Sequence, residues 1–377
     1  MRTAVIAKNA KRVRHERGLT QLEVAKRAEI SLPTYSNIES GRGSPRMDTL
    51  YKVAGAMEVG VQELLSPVRE LSSVRFRAQK KLKRRDHILA RVSKWLEDFN
   101  YLLGEQKQKV AYALSGISDE LKGVSPKRRS VLAAELVRER MGLNAKEPVH
   151  DITGLLAANG IKVLPYELAS DGFFGMSVGQ ADGGPAIVVN VWDRIPVERW
   201  IFSAAHELGH LVMHLDAYKV DIVEEDNKQE KEADEFASHF LMPQNGFDQE
   251  WQETYGLDPW NRILKVKRIF HVSYKAVIYR LIEQGILKVT VWSQIPLIIK
   301  QRYPGKEPKS FEPDGLKQSD FVTDWLDRLV RVGVEKQQIT QSRAGEILDL
   351  PLPEMRKRIA SWAEEKSGNR LEAVSHS

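Results

Sequence analysis

The sequence contains no cysteine among its 377 residues. It therefore cannot form a disulfide, bind zinc through thiolates or hold a cysteine-ligated iron–sulfur cluster. Any metal site must be built from His, Asp and Glu. The sequence also lacks a run of about 18 apolar residues, which a membrane span requires, and its first residues are too charged for a secretory signal. We therefore expect a globular, cytoplasmic protein with no membrane partner.

Charge is spread unevenly along the chain. Residues 1–92 carry 20 Lys and Arg against 9 Asp and Glu, whereas the rest of the chain carries 37 against 42. A basic N-terminal region joined to a mildly acidic remainder is typical of a nucleic-acid-binding head on a separate working domain. A solvated basic surface would have the same composition, so the charge alone leaves both interpretations open.

The sequence pattern of residues 5–65 predicts five short helices. Gly18 ends the first, and Thr20 and Ser31 are suited to cap the second and third. Apolar residues recur at helical spacing, which predicts one small shared core. The predicted core residues are Val24, Ala25, Ala28, Ile30, Tyr35, Ile38, Leu50, Val53, Ala54, Val61 and Leu64. This pattern indicates a compact all-helical bundle.

The chain after Pro67 begins with a basic segment, SSVRFRAQKKLKRRDH, and continues as an amphipathic helix. The apolar face of this predicted helix carries Ile88, Val92, Trp95, Leu96 and Phe99. We interpret the whole segment as a helical connector. Its basic face either contacts DNA phosphates or is simply solvated.

A different pattern begins near Pro126. Two helical segments precede three short segments rich in Val, Ile and Phe, namely IKVLPYEL, GFFGMSVG and PAIVVN, which predict the strands of a small sheet. The following residues are predicted to be helical, including RILKVKRIFHVSYKAVIYRLIEQG as a helix pair, up to a disordered tail after Lys366. The predicted domains are residues 1–67, 68–122, 123–288 and 289–377.

The first helix after the strands contains His206, Glu207 and His210 in the order H-E-x-x-H. Residues four apart lie on one face of an α-helix, so the two imidazoles point at one position and Glu207 lies beside them. Two nitrogen ligands need a third. Metallopeptidases of this kind take it from a carboxylate or a further His, and keep one metal position open for water or substrate.

Candidates for the third ligand lie on the next predicted helix, in EKEADEF. Glu230 and Asp234 are four residues apart, so one could bind the metal while the other holds an imidazole N–H. Glu232 points to another side of the helix and is expected to be solvated.

Three further His residues are weaker candidates. His214 lies four residues beyond His210, but three His in a row drift around a straight helix and meet one metal poorly. His239 and His271 could lie at the edge of the site, although a single His is more often a hydrogen-bonded structural residue.

Taken together, IVVN, FSAAHELGHLVMH and EKEADEFASHFLMP closely resemble the ImmA/IrrE family of metallopeptidases, and SLPTYSNIESGRGSP resembles the Xre-type helix-turn-helix regulators. The chain looks like a fusion of the two. The resemblance implies a mostly α protein with an N-terminal five-helix bundle, an α+β zincin-like domain with a small sheet, and a helical C-terminal region. It implies His206, His210 and Glu230 as ligands of zinc, with manganese as an alternative, and Glu207 as general base. Asp234 stands where the family often has Asn.

Such a site implies hydrolysis of a peptide bond. The metal lowers the pKa of its bound water, and Glu207 takes the proton and passes it to the leaving amine. If PAIVVN forms an edge of the sheet, residues 186–189 could hold an extended substrate by main-chain pairing. The expected substrate is a regulatory protein, in particular a repressor, or the chain itself.

In a helix-turn-helix the second helix enters the major groove of DNA and the first crosses the backbone. These helices are predicted at about 21–28 and 32–40, with Tyr35 and Ile38 pointing inward. The residues expected to reach bases are Ser31, Thr34 and Asn37, and those expected at phosphates are Gln21, Arg42 and Arg46. Such domains usually act as dimers on two half-sites, so we expect a homodimer on a double-stranded DNA operator.

Two classes of function fit the sequence. In the first, a DNA-binding transcriptional regulator is also a zinc endopeptidase, either active or latent until a signal arrives. In the second, the chain is a non-enzymatic regulator, or an antitoxin, whose metallopeptidase-like domain is a sensor or interaction module. The intact Glu207 favours the first, because a purely structural metal site has no use for that carboxylate.

Overall fold

The computed structural model describes residues 2–66, 71–78, 85–170, 172–218 and 226–374. The basic run 79–84 of the predicted connector and the last residues, 375–377, lie outside the described residues. The chain forms two compact units. The first consists of residues 1–71 and 81–97, and the second of residues 72–80 and 98–377. Parts of the predicted connector, residues 68–122, are therefore found in both units.

The first unit confirms the predicted five-helix bundle. Its helices are α1 (Arg2–Glu16), α2 (Gln21–Arg27), α3 (Leu32–Glu39), α4 (Met47–Ala56) and α5 (Val61–Leu65), and α6 (Arg85–Glu105) begins in it. The N-cap of α2 is Thr20, which forms a reciprocal capping box with Glu23. The N-cap of α3 is Ser31, whose hydroxyl accepts the N–H of Thr34.

One hydrophobic core holds this bundle together. The predicted core residues are buried, apart from Ile30 and Val61, which are partly buried and pack against the core. Arg14 of α1 donates to both carboxylate oxygens of Glu39 at the end of α3, at 2.5 and 3.1 Å. This largely buried ion pair links α3 to α1.

The second unit combines a small sheet with helices. Within the described residues, its strands are β1 (Val74–Ala78), β2 (Lys162–Tyr166), β3 (Phe173–Val178) and β4 (Ala186–Asn190). Its helices after α6 are α7 (Ile117–Glu120), α8 (Pro126–Arg140), α9 (Ile152–Ala158), α10 (Val197–Met213), α11 (Asn227–Leu241), α12 (Gln244–Glu253), α13 (Pro259–Phe270), α14 (Tyr274–Glu283), α15 (Ile295–Arg302), α16 (Trp325–Glu335), α17 (Gln341–Leu348) and α18 (Leu352–Val374).

The sheet has the order β1-β3-β4-β2. β3 pairs antiparallel with both β1 and β4, and β4 pairs parallel with β2. The three predicted strands are confirmed, and β1 arises from the VRFRA part of the predicted connector. PAIVVN does not form a sheet edge, because β4 is paired on both sides, so residues 186–189 are not free to hold a substrate by main-chain pairing. All five of its residues are buried, as the apolar run of a central strand requires.

Helix α10 runs through the centre of the second unit. Nearly every residue from Val197 to Met213 is buried, and the helix packs against the sheet, α8 and α11. A helix buried all round needs apolar or small residues on every side, except where polar groups find partners. The polar residues of its middle turns are Ser203 and the two His and the Glu of the H-E-x-x-H motif.

The C-terminal region is helical, as predicted. One difference lies at its end, where α18 continues to Val374 although the sequence predicted a disordered tail after Lys366. Arg370, Leu371, Glu372 and Ala373, which follow Gly368 in this segment, have high helix propensity. Within the described residues, no helix has both the length and the apolar character needed to cross a bilayer.

Candidate metal centre and DNA-reading helices

The two motif imidazoles converge as their spacing predicts. His206 and His210 are fully buried on α10, and their Nε2 atoms lie 3.0 Å apart. Glu230, on α11, brings its carboxylate oxygens within 3.3 Å of the Nε2 atoms of both His206 and His210. The two imidazoles and the carboxylate form a small triangle of side chains, in which each Nε2 atom lies 3.3 Å from a different oxygen of Glu230.

This triangle fits a metal ion. Zinc bound at about 2.0–2.1 Å in tetrahedral geometry places neighbouring ligand atoms about 3.3 Å apart. The donor set of two imidazoles and one carboxylate, with none from sulfur, is that of a hydrolytic zinc site with one open position. The residues therefore match the chemistry that the metal requires.

The charge states of these groups are also those of ligands. Burial lowers the pKa of His210 well below its usual value, which favours the neutral imidazole. Burial alone would raise the pKa of Glu230, but its hydrogen bonds with His206 and His210 lower it well below its usual range. A neutral imidazole and an ionised carboxylate are the forms that bind metals.

Each imidazole is oriented through its other ring nitrogen. Asp234 Oδ1 lies 2.7 Å from His206 Nδ1. His214 Nδ1 lies 2.8 Å from His210 Nδ1, and His214 Nε2 lies 2.9 Å from Glu232 Oε2. With the Nε2 lone pair of His210 directed to the site, its Nδ1–H donates to His214, and the Nε2–H of His214 donates to Glu232.

His214 therefore contacts the candidate ligand His210 on the side away from Glu230, and both of its own ring nitrogens have other partners. Burial lowers the pKa of His214 to about 4, so the ring is neutral and can accept the bond from His210. The expectation that Glu232 is solvated is wrong, because its side chain is only 10% exposed and pairs with His214. Helical geometry correctly predicted that Glu232 points to another side of α11 than Glu230. It could not show that His214, at the end of α10, lies on that side and covers the Glu232 carboxylate.

Glu207 lies beside the triangle and is held by groups that the sequence did not single out. The Ser177 hydroxyl donates to Glu207 Oε2 at 2.8 Å, and the Tyr218 hydroxyl donates to Ser177 Oγ at 2.8 Å. Gly175, on β3, leaves room for this carboxylate: a Cβ there would lie 3.2 Å from Glu207 Cγ and 2.9 Å from the Val188 carbonyl. The strand alternation G-x-S in GFFGMSVG is the only sequence signal for Gly175 and Ser177.

Arg75 is a further residue at the site that the sequence analysis missed. It lies on β1, and its Nη2 donates to Glu230 Oε1 at 3.0 Å while Nη1 donates to Gln229 Oε1 at 2.5 Å. The side chains of Arg75 and Glu230 are only 11% and 12% exposed. Basic residues are abundant in that segment, so no local pattern distinguishes Arg75.

The other two His candidates lie in different surroundings. His239 Nδ1 accepts from Arg280 Nη2 at 2.8 Å, and its Nε2 lies 3.3 Å from Glu283 Oε1. His271 ends α13 in the left-handed conformation, with φ of 53°, and its ring contacts that of His150 at 5.4 Å. Both have structural contacts, and neither joins the triangle of candidate ligands.

In the first unit, α2 and α3 occupy the positions predicted for a helix-turn-helix. Tyr35 and Ile38 are buried. The exposed residues among those predicted to contact DNA are Ser31, Thr34, Asn37, Arg42 and Arg46. Gln21 is half-buried, and its amide donates to Glu39 Oε2 at 2.6 Å. Its side chain therefore bridges α2 to the Arg14–Glu39 ion pair in this structure.

Comparison with known proteins agrees with both halves of this description. Residues 11–64 match the helix-turn-helix family model, and residues 160–282 match that of the IrrE N-terminal-like domain, a peptidase M78 family. An uncharacterized HTH-type transcriptional regulator of Sinorhizobium fredii is 41% identical over 66 residues, which is 18% of this chain and 86% of that protein.

Two further relatives match the same region. The HTH-type transcriptional regulator DdrOP3 of Deinococcus deserti is 35% identical over 63 residues, 17% of this chain and 49% of that protein. The cryptic phage CTXphi transcriptional repressor RstR of Vibrio cholerae is 44% identical over 45 residues, 12% of this chain and 40% of that protein. The chain thus spans half or less of the length of these two relatives.

The fold and the two sites define a DNA-binding regulator joined to a domain of metallopeptidase type. The chain belongs to the helix-turn-helix family of transcriptional regulators and carries an IrrE N-terminal-like domain. The predicted fusion is therefore confirmed.

Proposed function

We propose that this regulator is also a metal-dependent endopeptidase, with His206, His210 and Glu230 as the ligands of zinc or manganese and Glu207 as the general base. The observation that supports this most directly is the triangle of these three side chains, with the two Nε2 atoms 3.0 Å apart and each 3.3 Å from an oxygen of Glu230, and the buried Glu207 carboxylate beside it. A metal site with a purely structural role needs no such carboxylate.

In the proposed hydrolysis of a peptide bond, the metal, Glu207 and the residues that hold Glu207 have different roles. A bound metal would supply Lewis acidity, which acidifies water and polarises the substrate carbonyl. Glu207 accepts the proton of the attacking water and delivers it to the leaving amine. Ser177 and Tyr218 hold the Glu207 carboxylate by a chain of two hydrogen bonds, which limits its rotation. Burial of the whole group strengthens these interactions because little water competes for them.

The expected DNA partner is a double-stranded operator bound by a homodimer in the cytoplasm, with Asn37 close to base edges and Arg42 at phosphates. The expected protein substrate is a repressor, or the chain itself, because a peptidase joined to a DNA-reading unit acts most directly on a protein that occupies the same promoter. The relatives that are named as regulators and a repressor support the DNA-binding part of this proposal.

The test of the enzyme is a cleavage assay with purified full-length protein, zinc or manganese, and repressors encoded by neighbouring genes. Glu207→Gln should reduce cleavage by about 100-fold or more, since removal of a general base typically costs that much. Arg328→Ala, an exposed arginine in α16 paired only loosely with Asp324, is the control and should cleave like the parent. Equal cleavage by parent and Glu207→Gln, or cleavage by neither form under any stimulus, would contradict the proposal.

The test of the DNA-binding unit is a gel shift on a fragment of the protein's own promoter. Asn37→Ala should weaken specific binding by about 10- to 100-fold if its amide reads a base. Arg42→Ala should weaken binding to all DNA sequences and reduce its salt dependence, because it would remove one phosphate contact. Unchanged affinity in both variants would remove the assignment of these residues.

A further inference from the structure

Strand β1 comes from an unexpected part of the chain. Residues 1–71 precede it and residues 81–97 follow it in the first unit, yet residues 72–80 belong to the second unit. β1 pairs antiparallel with β3 and forms the outer strand on that side of the sheet. A segment from the connection between two parts of the DNA-binding unit thus covers the edge of β3.

The main-chain pairing between β1 and β3 is antiparallel and in register from Val74 to Arg77, and the register shifts between Arg77 and Ala78. The N–H of Gly179 donates to the carbonyl of Ser73 at 2.8 Å. Hydrogen-bonded pairs alternate in such a ladder, so Arg75 and Ser177, which lie opposite each other, form the next one. The main-chain groups of Gly175, two residues away on β3, face β1 in the same way.

This edge lies directly beside the candidate catalytic carboxylate. Ser177 binds Glu207 through its hydroxyl, and the Cα of Gly175 is so close that an added Cβ would lie 3.2 Å from Glu207 Cγ. A peptide paired with this part of β3 would therefore lie next to the two residues that contact Glu207. The other edge strand, β2, is separated from β3 by β4.

The side chain of Arg75 reaches from β1 to the candidate ligand. It donates to Glu230 and Gln229 on α11, and this pairing is largely shielded from water. Asp182 accepts the main-chain N–H groups of Ser72 and Ser73, which fixes the start of the segment. Three sets of contacts thus hold β1 in place: the main-chain pairing with β3, the side chain of Arg75 on α11, and the bonds of Ser72 and Ser73 to Asp182.

We propose that the β3 edge is the peptide-binding edge of the second unit and that β1 is its resident occupant, which an extended target must displace. The position of Arg75 indicates the chemistry of that target: an extended segment with an arginine placed to meet Gln229 and Glu230. The link to cleavage rests on the proposed endopeptidase function, whereas the occupancy of the edge by β1 does not.

A resident strand suppresses binding because it already occupies the main-chain groups with which a peptide would pair. Extended peptides add to an exposed sheet edge through main-chain hydrogen bonds, and side-chain contacts give them specificity. A segment tethered in the same chain competes at an effective concentration of about millimolar. A target at micromolar concentration therefore binds weakly until β1 leaves the edge.

The first experiment measures amide hydrogen exchange in the full-length Glu207→Gln protein, in which cleavage is removed. Arg75→Ala deletes the side-chain anchor, and Arg77→Pro removes an N–H from the ladder, since Arg77 lies opposite Gly175. Both changes should speed exchange at Gly175 and Ser177 by at least about tenfold, because an unpaired edge opens readily. Amides of β2 and β4 should keep the parent rates.

The second experiment measures binding of a fluorescent synthetic peptide with the sequence of residues 72–78, SSVRFRA, to the same proteins. The peptide should bind both variants at least about tenfold more tightly than the Glu207→Gln parent. Arg75→Lys should give an intermediate affinity, because lysine keeps the charge but loses the two-pronged geometry. Arg328→Ala is the matched control and should bind like the parent.

Unchanged exchange at Gly175 and Ser177 in both variants, or equal peptide binding by parent and variants, would overturn the occupancy of the edge. The outcome is independent of catalysis. If the variants open the edge and bind the peptide but no form with Glu207 cleaves a protein, the endopeptidase proposal fails and this inference stands. If the parent cleaves its target and the variants change neither exchange nor binding, this inference alone fails.

Discussion

At the scale of single residues, both ring nitrogens of each motif His have a defined contact. The Nε2 atoms of His206 and His210 face the candidate metal position, while their Nδ1 atoms contact Asp234 and His214. A fixed Nδ1 proton determines the tautomer and leaves the Nε2 lone pair for a metal. These outer contacts should therefore influence metal affinity although they touch no metal.

We predict that Asp234→Ala weakens zinc binding by about 10- to 100-fold, because His206 loses the acceptor that orients its ring. The measurement is competition with a chromophoric chelator at pH 7.5. Lys231→Ala, an exposed residue on the same helix, is the control and should leave the affinity unchanged. An affinity equal to the parent in Asp234→Ala would show that the ring is held by packing alone.

A second residue-scale feature is a buried charge cluster away from the metal centre. Lys267 Nζ lies 2.9 Å from Glu198 Oε1 and 3.1 Å from Glu312 Oε1, and all three side chains are at most 7% exposed. Burial raises the pKa of Glu312 from 4.5 to about 7, against the opposing effect of Lys267. One ammonium thus lies between two carboxylates, and burial disfavours the ionised form of Glu312.

A raised pKa in the folded state means that Glu312 stabilises the fold fully below about pH 4.5, and that this contribution is lost as the pH rises towards 7. We predict that Glu312→Gln is more stable than the parent at pH 8, by on the order of 1–3 kcal/mol, with little difference at pH 5. Urea unfolding at the two pH values measures this. Glu307→Gln, exposed on the same segment, is the control and should be as stable as the parent at both pH values. If Glu312→Gln differs from the parent by the same unfolding free energy at pH 5 and pH 8, the raised pKa of Glu312 is contradicted.

At the scale of elements, the site depends on the close approach of α10 and α11. Gly209 lies between the two motif His residues, and a Cβ there would lie 2.8 Å from Phe236 Cδ1. The absence of a side chain lets the two helices pack closely enough for Glu230 to approach both imidazoles. Gly209, the fourth residue of the H-E-x-x-H motif, is therefore needed for helix packing, whereas the two His and the Glu are the candidate metal ligands and general base.

We predict that Gly209→Ala costs about 1–3 kcal/mol of unfolding free energy through overpacking against Phe236 and also weakens zinc binding. Gly104→Ala is the control: it is a helical glycine with open space around its Cα, so it should be neutral or slightly stabilising. Chemical denaturation and chelator competition measure the two effects. A Gly209→Ala protein with parental zinc affinity would show that helix spacing does not control the ligand triangle.

At the scale of the whole molecule, the chain has two compact units, each with its own buried core. Ligands stabilise only the unit that binds them, in proportion to RT ln(1 + [L]/Kd). We predict that calorimetry of the full-length protein shows two unfolding transitions. Zinc should raise the midpoint temperature of one of them, through a stabilisation of about 3 kcal/mol at 100 times its Kd, and operator DNA should raise the midpoint temperature of the other.

The variant that checks this assignment is Glu230→Gln. It should abolish the shift caused by zinc and leave the shift caused by DNA unchanged, since Glu230 lies in the second unit. A single transition that responds equally to both ligands would mean that the two units unfold together.

Local regularities made much of this predictable from sequence. The five helices of the first unit, the strands β2 to β4 and the position of the motif helix follow from capping residues and from the 3.6- and 2-residue periods. The four-residue spacing of His206 and His210 already placed both rings on one face of a helix. Tyr35 and Ile38 were correctly predicted to be buried for the same reason.

The remaining features depend on contacts between distant parts of the chain. Arg75 meets Glu230 across 155 residues, and Ser177 meets Glu207 across 30. The burial of Glu232 beside His214, the central position of β4 and the pairing of β1 with β3 likewise arise only when separate elements pack. Sequence alone determined that His206 and His210 lie on one face of a helix, because helix geometry is local. Only the tertiary structure decided which partners surround the site, because partners are selected by packing in three dimensions.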